Sequence, residues 1–109
     1  MKDELQTKLI NNYPNLYSRC HYLSCGDGWY NLIDELSAKL EPLGVVVMQV
    51  KEKFSGLRFY IDIGTDEAFD LIREAESKSV HICEKCGKPG ETRATGWIKT
   101  LCDECFKKY

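Results

Sequence analysis

Two short stretches, CEKCGKPG beginning at Cys83 and LCDEC ending at Cys105, hold four of the six cysteines of this 109-residue chain. Two residues separate the cysteines within each pair, and fifteen lie between the pairs. That is the spacing of a four-cysteine zinc site. Two intervening residues let one tight turn aim both sulfurs at a single ion while backbone N–H groups bond the thiolates. Gly87, just past the first pair, suits such a turn. Two turns facing each other give the tetrahedron that zinc prefers. The sequence therefore predicts one structural Zn²⁺ held by Cys83, Cys86, Cys102 and Cys105. Four thiolates leave no position open for water or substrate, so the predicted site holds the fold and does no chemistry. Iron is the alternative occupant, because four thiolates also hold iron or an iron–sulfur cluster. A thioredoxin-like redox pair needs a neighbouring βαβ pattern, and the sequence shows none.

A disulfide framework is the remaining alternative, and compartment decides against it. The first ten residues, MKDELQTKLI, are charged and amphipathic, without the apolar stretch and small-residue cleavage site of a secretory signal. No apolar run approaches the ~20 residues of a membrane helix. The expectation is a cytoplasmic protein with no membrane partner, in a compartment where thiols stay reduced. Hydrophobic residues make up 43% of the chain, enough for one core with a modest stability margin, so a metal staple would matter to folding.

Along the chain, residues 2–12 predict a helix ended by Pro14. An irregular, aromatic-rich segment follows, expected to lay its Tyr and Leu side chains on the core. GDGWYNLIDELSAKLEPLG predicts the clearest helix, capped by Asp27, with Trp29, Leu32, Ile33, Leu36 and Leu40 on one face and Pro42 and Gly44 at its end. VVVMQVKEKFSGLRFYIDIG predicts a β-hairpin turning at FSG, with Gly56 supplying the turn conformation. Strict alternation puts Leu57, Phe59, Ile61 and Ile63 on one side and Arg58, Tyr60 and Asp62 on the other. It likewise sets Val46, Met48 and Val50 against Val45, Val47 and Gln49. TDEAFDLIREAESKS predicts a helix burying Phe69, Ile72 and Ala75, with Leu71 beside them. The tail predicts a hairpin, with turns near Pro89–Gly90 and Thr95–Gly96, then some helix after Cys102. The fold class is α+β: helices packed on a β-hairpin, with a C-terminal zinc-ribbon or treble-clef-like module. Residues 1–80 form the expected body and 81–109 the zinc module packed on it.

Other residue groups were weighed for chemistry. Cys20, His21, Cys25 and His81 could supply a second metal site, against the plainer reading that the two cysteines fill a loop on the core. Scattered carboxylates on helix faces pick out no general acid–base pair. GDG and GKPG lack the ending of a phosphate loop. The expectation is therefore a protein that is not an enzyme and takes no small-molecule substrate. Nucleic acid is the alternative partner, through Lys88, Arg93, Lys99 and Trp97. The tail carries six cationic against four acidic residues, an excess that four thiolates on one Zn²⁺ would cancel. The body carries nine against thirteen, so the electrostatic attraction that dominates such affinity is weak. Trp97 is expected to pack the module onto the body. Lys51, Lys53, Arg58 and Tyr60 share exposed strand faces and form the candidate protein-binding surface, with Tyr17, Tyr22 and Leu23 of the irregular segment beside it.

The stretches CGDGWYNLIDELSAKLE, QVKEKFSGLRFYID and CEKCGKPG…GWIKTLCDEC, in that order, resemble a group of small proteins encoded by bacteriophages and prophages. The resemblance covers about residues 24–105 and carries no settled enzymatic activity. What it implies is an accessory protein that binds and inhibits a host protein, such as a component of antiviral defence, in the host cytoplasm.

Overall fold

A computed structural model of the chain describes residues 1–94 and 96–108. The architecture is α+β. Helix α1 (Asp3–Asn12) is followed by a two-residue strand β1 (Leu23–Ser24), a 3-10 turn at Asp27–Trp29 and helix α2 (Tyr30–Leu40). Strands β2 (Val47–Lys53) and β3 (Gly56–Ile61) lead into α3 (Asp66–Ser79), and a second hairpin, β4 (Glu91–Ala94) and β5 (Ile98–Leu101), ends in the short helix α4 (Asp103–Lys107). The body sheet has the order β1–β2–β3, with β1 parallel and β3 antiparallel to β2.

The helical stripe of α2 is as the periodicity requires: Trp29, Leu32, Ile33, Leu36 and Leu40 are all buried. Asp27 does not cap this helix. Its carboxylate instead accepts the Lys2 backbone N–H at 2.8 Å and ties the start of α1 to the start of α2. A 3-10 turn, Glu41–Leu43, follows α2, and Gly44 closes it in the left-handed conformation (φ +72°).

The strands depart from strict alternation at one place. A bulge in β2 skips Met48, so that Val47 pairs with Ile61 and Gln49 with Tyr60. The extra residue moves the facing by one. Val47 and Val50 are both buried, three positions apart, while Met48 and Gln49 are exposed. The expected grouping of Val50 with Met48 against Val47 is thus wrong. The hairpin turn is also displaced from its expected residue. Phe54 (φ +52°) and Ser55 (φ +73°) carry the left-handed conformation, and Gly56 pairs with Lys53 inside the ladder. This is a two-residue hairpin loop whose twist matches the strands. In β3, Leu57 and Phe59 are buried and Ile61 half-buried, but Ile63 lies beyond the strand and is 80% exposed.

Helix α3 is capped by Thr65, whose hydroxyl accepts the Ala68 N–H at 3.3 Å. It buries Ala68, Ile72, Ala75 and Ser79. Phe69, expected inside, is exposed. The last turns of α3 also close the free edge of β3: Ser79 Oγ accepts the Leu57 N–H at 2.9 Å and Glu76 Oε2 the Phe59 N–H at 3.0 Å. Those two donors would otherwise be a template for pairing with another chain.

The irregular segment lays Leu and Tyr side chains in the core, while Asn15, Ser18, Arg19 and His21 are exposed. Leu16, Tyr17 and Leu23 are fully buried, and the Tyr17 and Ser37 hydroxyls lie 2.7 Å apart. Only Tyr22 of the three residues proposed there for partner binding is exposed. Helix follows Cys102 as expected, whereas the Thr95 half of the Thr95–Gly96 turn lies outside the described residues. Trp97 does not pack the module onto the body; it is 74% exposed.

Phe59 is buried on the inner sheet face, so Phe59→Ala should destabilise the chain by ~3–5 kcal/mol in a denaturant titration.

Candidate metal centre

Cys83 and Cys86 occupy a turn after α3 in which the Gly87 N–H donates to the Cys83 carbonyl at 2.9 Å and the Cys83 N–H to the Lys88 carbonyl at 2.7 Å. Gly87 has φ +84°, a conformation a side chain would strain. The second pair begins where β5 ends. Cys102 is the N-cap of α4, and its sulfur accepts the Cys105 N–H at 3.4 Å. The four sulfurs lie within 4.8 Å of one another, and Cys86 Sγ to Cys102 Sγ is 3.6 Å. A tetrahedron with zinc–sulfur bonds of ~2.3 Å has edges of ~3.8 Å, so the cluster has the size that one Zn²⁺ requires. Cys83 and Cys102 are buried, Cys105 is half-buried and Cys86 is exposed.

The electrostatics of the cluster also fit a cation. Burial pushes the Cys83 thiol up, but backbone N–H groups of Cys102, Cys86 and Lys85 directed at it outweigh burial and bring it down to about 6. Its neighbour pays the opposite way: hydrogen bonding to Cys102, with burial and the Cys83 charge added, pushes Cys105 up to about 12. Four adjacent thiols cannot all ionise beside one another without a positive ion among them.

The first cysteine turn is bound into the body through the CGDGW segment. The Gly28 N–H donates to the Glu84 carbonyl at 2.7 Å, the Gly26 N–H to Glu84 Oε2 at 2.8 Å, and Trp29 Nε1 to the Ile82 carbonyl at 2.9 Å. A Cβ on Gly28 would stand 2.1 Å from the Cys83 carbonyl oxygen, and one on Gly26 2.3 Å from that of Glu84. Both glycines are there because backbone meets backbone. The Glu84 side chain is buried and shares Lys99 Nζ (3.5 Å) with Glu52 Oε1 (2.9 Å), which links the turn, β5 and β2. Burial pulls the Lys99 ammonium down, but its two carboxylate partners more than offset this and leave its pKa raised. Nothing in the cysteine spacing signals this contact; the two glycines flanking Asp27 were its only trace in the sequence.

The second candidate metal set is not brought together. Among the described residues the only converging group of His, Cys, Asp and Glu is Cys83, Cys86, Cys102 and Cys105. Cys20 and Cys25 are buried in the body core, while His21 and His81 are exposed. Burial pushes the Cys20 thiol up and the Cys25 thiol to about 12, which keeps both protonated. The Cys20 thiol faces the Tyr22 carbonyl at 3.5 Å.

The cations suggested for nucleic acid are engaged within the chain. Lys99 is the buried bridge just described. Arg93 pairs with Asp103 (2.7 Å) and Glu91 (3.2 Å) and lies over the Phe106 ring, and Lys88 pairs with Glu104 at 3.6 Å. On the hairpin, Lys51 and Arg58 are cross-strand partners, as are Gln49 and Tyr60. Lys53 and Tyr60 are exposed and Lys51 and Arg58 half-buried. No helix among the described residues is long and apolar enough to cross a membrane. Compared with known protein families, curated proteins and solved structures, the chain matches none.

Gly28→Ala should destabilise the fold by ~1–3 kcal/mol, because the methyl group meets backbone that cannot yield. The same variant, like Cys83→Ser, should lose metal and melting temperature together. Elemental analysis beside a melting curve measures both, with one zinc per chain expected for the wild type.

Proposed function

We propose that this chain is a small zinc-stabilised binding protein that acts by contact with another protein rather than by catalysis. One Zn²⁺ on Cys83, Cys86, Cys102 and Cys105 fixes the C-terminal module, and the module fixes the hairpin beside it. The observation that carries the reading is the outer face of that hairpin. It presents Lys51, Arg58 and Tyr60 together, with Lys53 at its end, on strands whose register is set by a buried inner face. Arg and Tyr are residues that concentrate interface energy, since they bury much surface at small entropic cost. The likeness of three stretches to phage and prophage proteins supports a narrower form of the reading. In that form the chain is an accessory factor in the host cytoplasm that binds and inhibits a host protein, with antiviral defence components as the target class.

The test is affinity capture from a bacterial lysate with wild-type and variant chains. A specific protein should be retained by the wild type and lost with Arg58→Glu or Tyr60→Ala, while zinc content and melting temperature stay within a few degrees of wild type. Recovery that ignores both substitutions overturns this surface. Salt-dependent retention of DNA or RNA by the wild type, in place of a protein, would replace the reading with a nucleic-acid-binding one.

A further inference from the structure

Two hairpin tips meet beside the metal module. The β2–β3 turn presents Phe54, 68% exposed, and the β4–β5 hairpin presents Trp97 and Ile98, 74% and 43% exposed; together with Glu52 and Gly96 they line one open cleft. The cleft is held from behind. Thr100 Oγ1 donates to the Ser55 carbonyl at 2.7 Å, the Ser55 and Thr92 hydroxyls lie 3.1 Å apart, and Lys99 pairs with Glu52. Ser55, buried in these bonds, has a reason within the fold for its place in the turn. Phe54 has none. A left-handed φ disfavours a bulky side chain, and Asn or Gly is the usual occupant of such a turn. An exposed aromatic in a disfavoured conformation marks a position kept for something outside the fold.

A second observation lies on the outer face of the hairpin, opposite the face that carries Glu52, and the two features meet at the tip. Lys51 and Arg58 stand directly opposite each other, and like charges so placed repel. Among the described residues no carboxylate lies within ion-pair distance of Lys51, Lys53 or Arg58. Lys53 joins the two features, its ammonium 5.6 Å from the centre of the Phe54 ring.

We infer that the Phe54–Trp97–Ile98 cleft and the Lys51–Lys53–Arg58 strip form one docking site for an extended acidic protein segment carrying a single large apolar side chain. The inference rests on the protein-binding reading above and names the chemistry of the partner. The apolar side chain fills the cleft between Phe54 and Trp97. The acidic residues answer the three cations of the strip. Lys51 is about 10 Å along the strand from the tip, so the carboxylates fall within about three residues of the anchor. A polynucleotide fits less well. Its affinity comes from many phosphate contacts, and this strip offers three cations on a chain of net charge -2.

The experiment uses the full, zinc-loaded chain and fluorescein-labelled peptides with a central phenylalanine among aspartates and glutamates. Controls replace the phenylalanine with serine, or the acids with asparagine and glutamine, and a labelled oligothymidylate stands for single-stranded nucleic acid. The acidic phenylalanine peptides should bind at least about tenfold tighter than either control, and Trp97→Ala and Lys51→Glu should each remove about tenfold with the melting temperature unchanged. No binding, binding indifferent to the anchor, to the acids or to Trp97, or tighter binding of the oligothymidylate overturns the proposal. So does a Trp97-dependent dimer in sedimentation, which would make the occupant a second copy. Lysate capture that falls with Arg58→Glu but survives Trp97→Ala would overturn the cleft alone and leave the broader protein-binding reading standing.

Discussion

The contact between the Gly26–Trp29 segment and the first cysteine turn is what the remaining structure depends on. Three hydrogen bonds cross it, from Gly26, Gly28 and the Trp29 indole, and each acceptor belongs to Ile82 or Glu84. Trp29 is also fully buried in the body core and opens the apolar stripe of α2. One side chain therefore reports to both halves of the molecule. Its ring packs the body and its N–H holds the segment entering the metal turn. Removing the metal would free the turn that presents the Glu84 carbonyl, so the cost would reach beyond the C-terminal residues into the body core. A metal held there would thereby be coupled to folding of the whole chain and not only of a ribbon at its end.

The buried charges follow from the same union. Glu84 is nearly as buried as the core, and an isolated carboxylate there would be costly. It is tolerated because Gly26 N–H and Lys99 both reach it, and because Lys99 also reaches Glu52. Such a bridge is weak evidence of net stability, since burying the ions opposes their attraction. It does fix position. Lys99 reaches Glu52 only when β5 lies across the inner side of β2, so that half of the bridge selects one seating of the second hairpin on the first. That seating is what sets Phe54 and Trp97 beside each other.

Legibility in the sequence followed the range of the interaction. The α2 stripe and the paired cysteines are local patterns, repeated at a spacing fixed by backbone geometry, and they could be read directly. The β2 bulge was not readable, because Val45, Val46, Val47, Met48 and Val50 are all apolar and alternation has no contrast there to reveal a slip. The turn was misplaced because Gly56 attracted the positive φ that Phe54 and Ser55 in fact carry. Phe69, grouped with Ile72 and Ala75 on one helix side, and Trp97, expected to pack the module onto the body, are both exposed: large apolar groups favour burial, but a small fold has too little interior to take every one. Lys99 counted as a surface cation because its partners, Glu52 and Glu84, are distant in the chain. The four metal-site cysteines were legible; the glycine contacts that orient them were not, since a glycine needed for close approach and one needed for a turn look alike in sequence.

The distribution of exposed aromatics follows from this economy of space. A chain of 109 residues must choose which of its large side chains to bury, and Tyr17, Trp29 and Phe59 took the interior. The edge of β3, where an exposed sheet would invite nonspecific pairing, is closed by Ser79 and Glu76. The outer face of the same hairpin carries Lys51, Lys53 and Arg58, with no carboxylate among the described residues within ion-pair distance, and leads to an exposed phenylalanine in the left-handed conformation. Closing one surface against association while leaving the adjacent one open is a difference in treatment that core packing does not require. Stability alone would place Asn or Gly at the turn and a carboxylate opposite Arg58. The proposed docking of a group from another molecule accounts for the left-handed Phe54 and the Lys51–Arg58 pairing together.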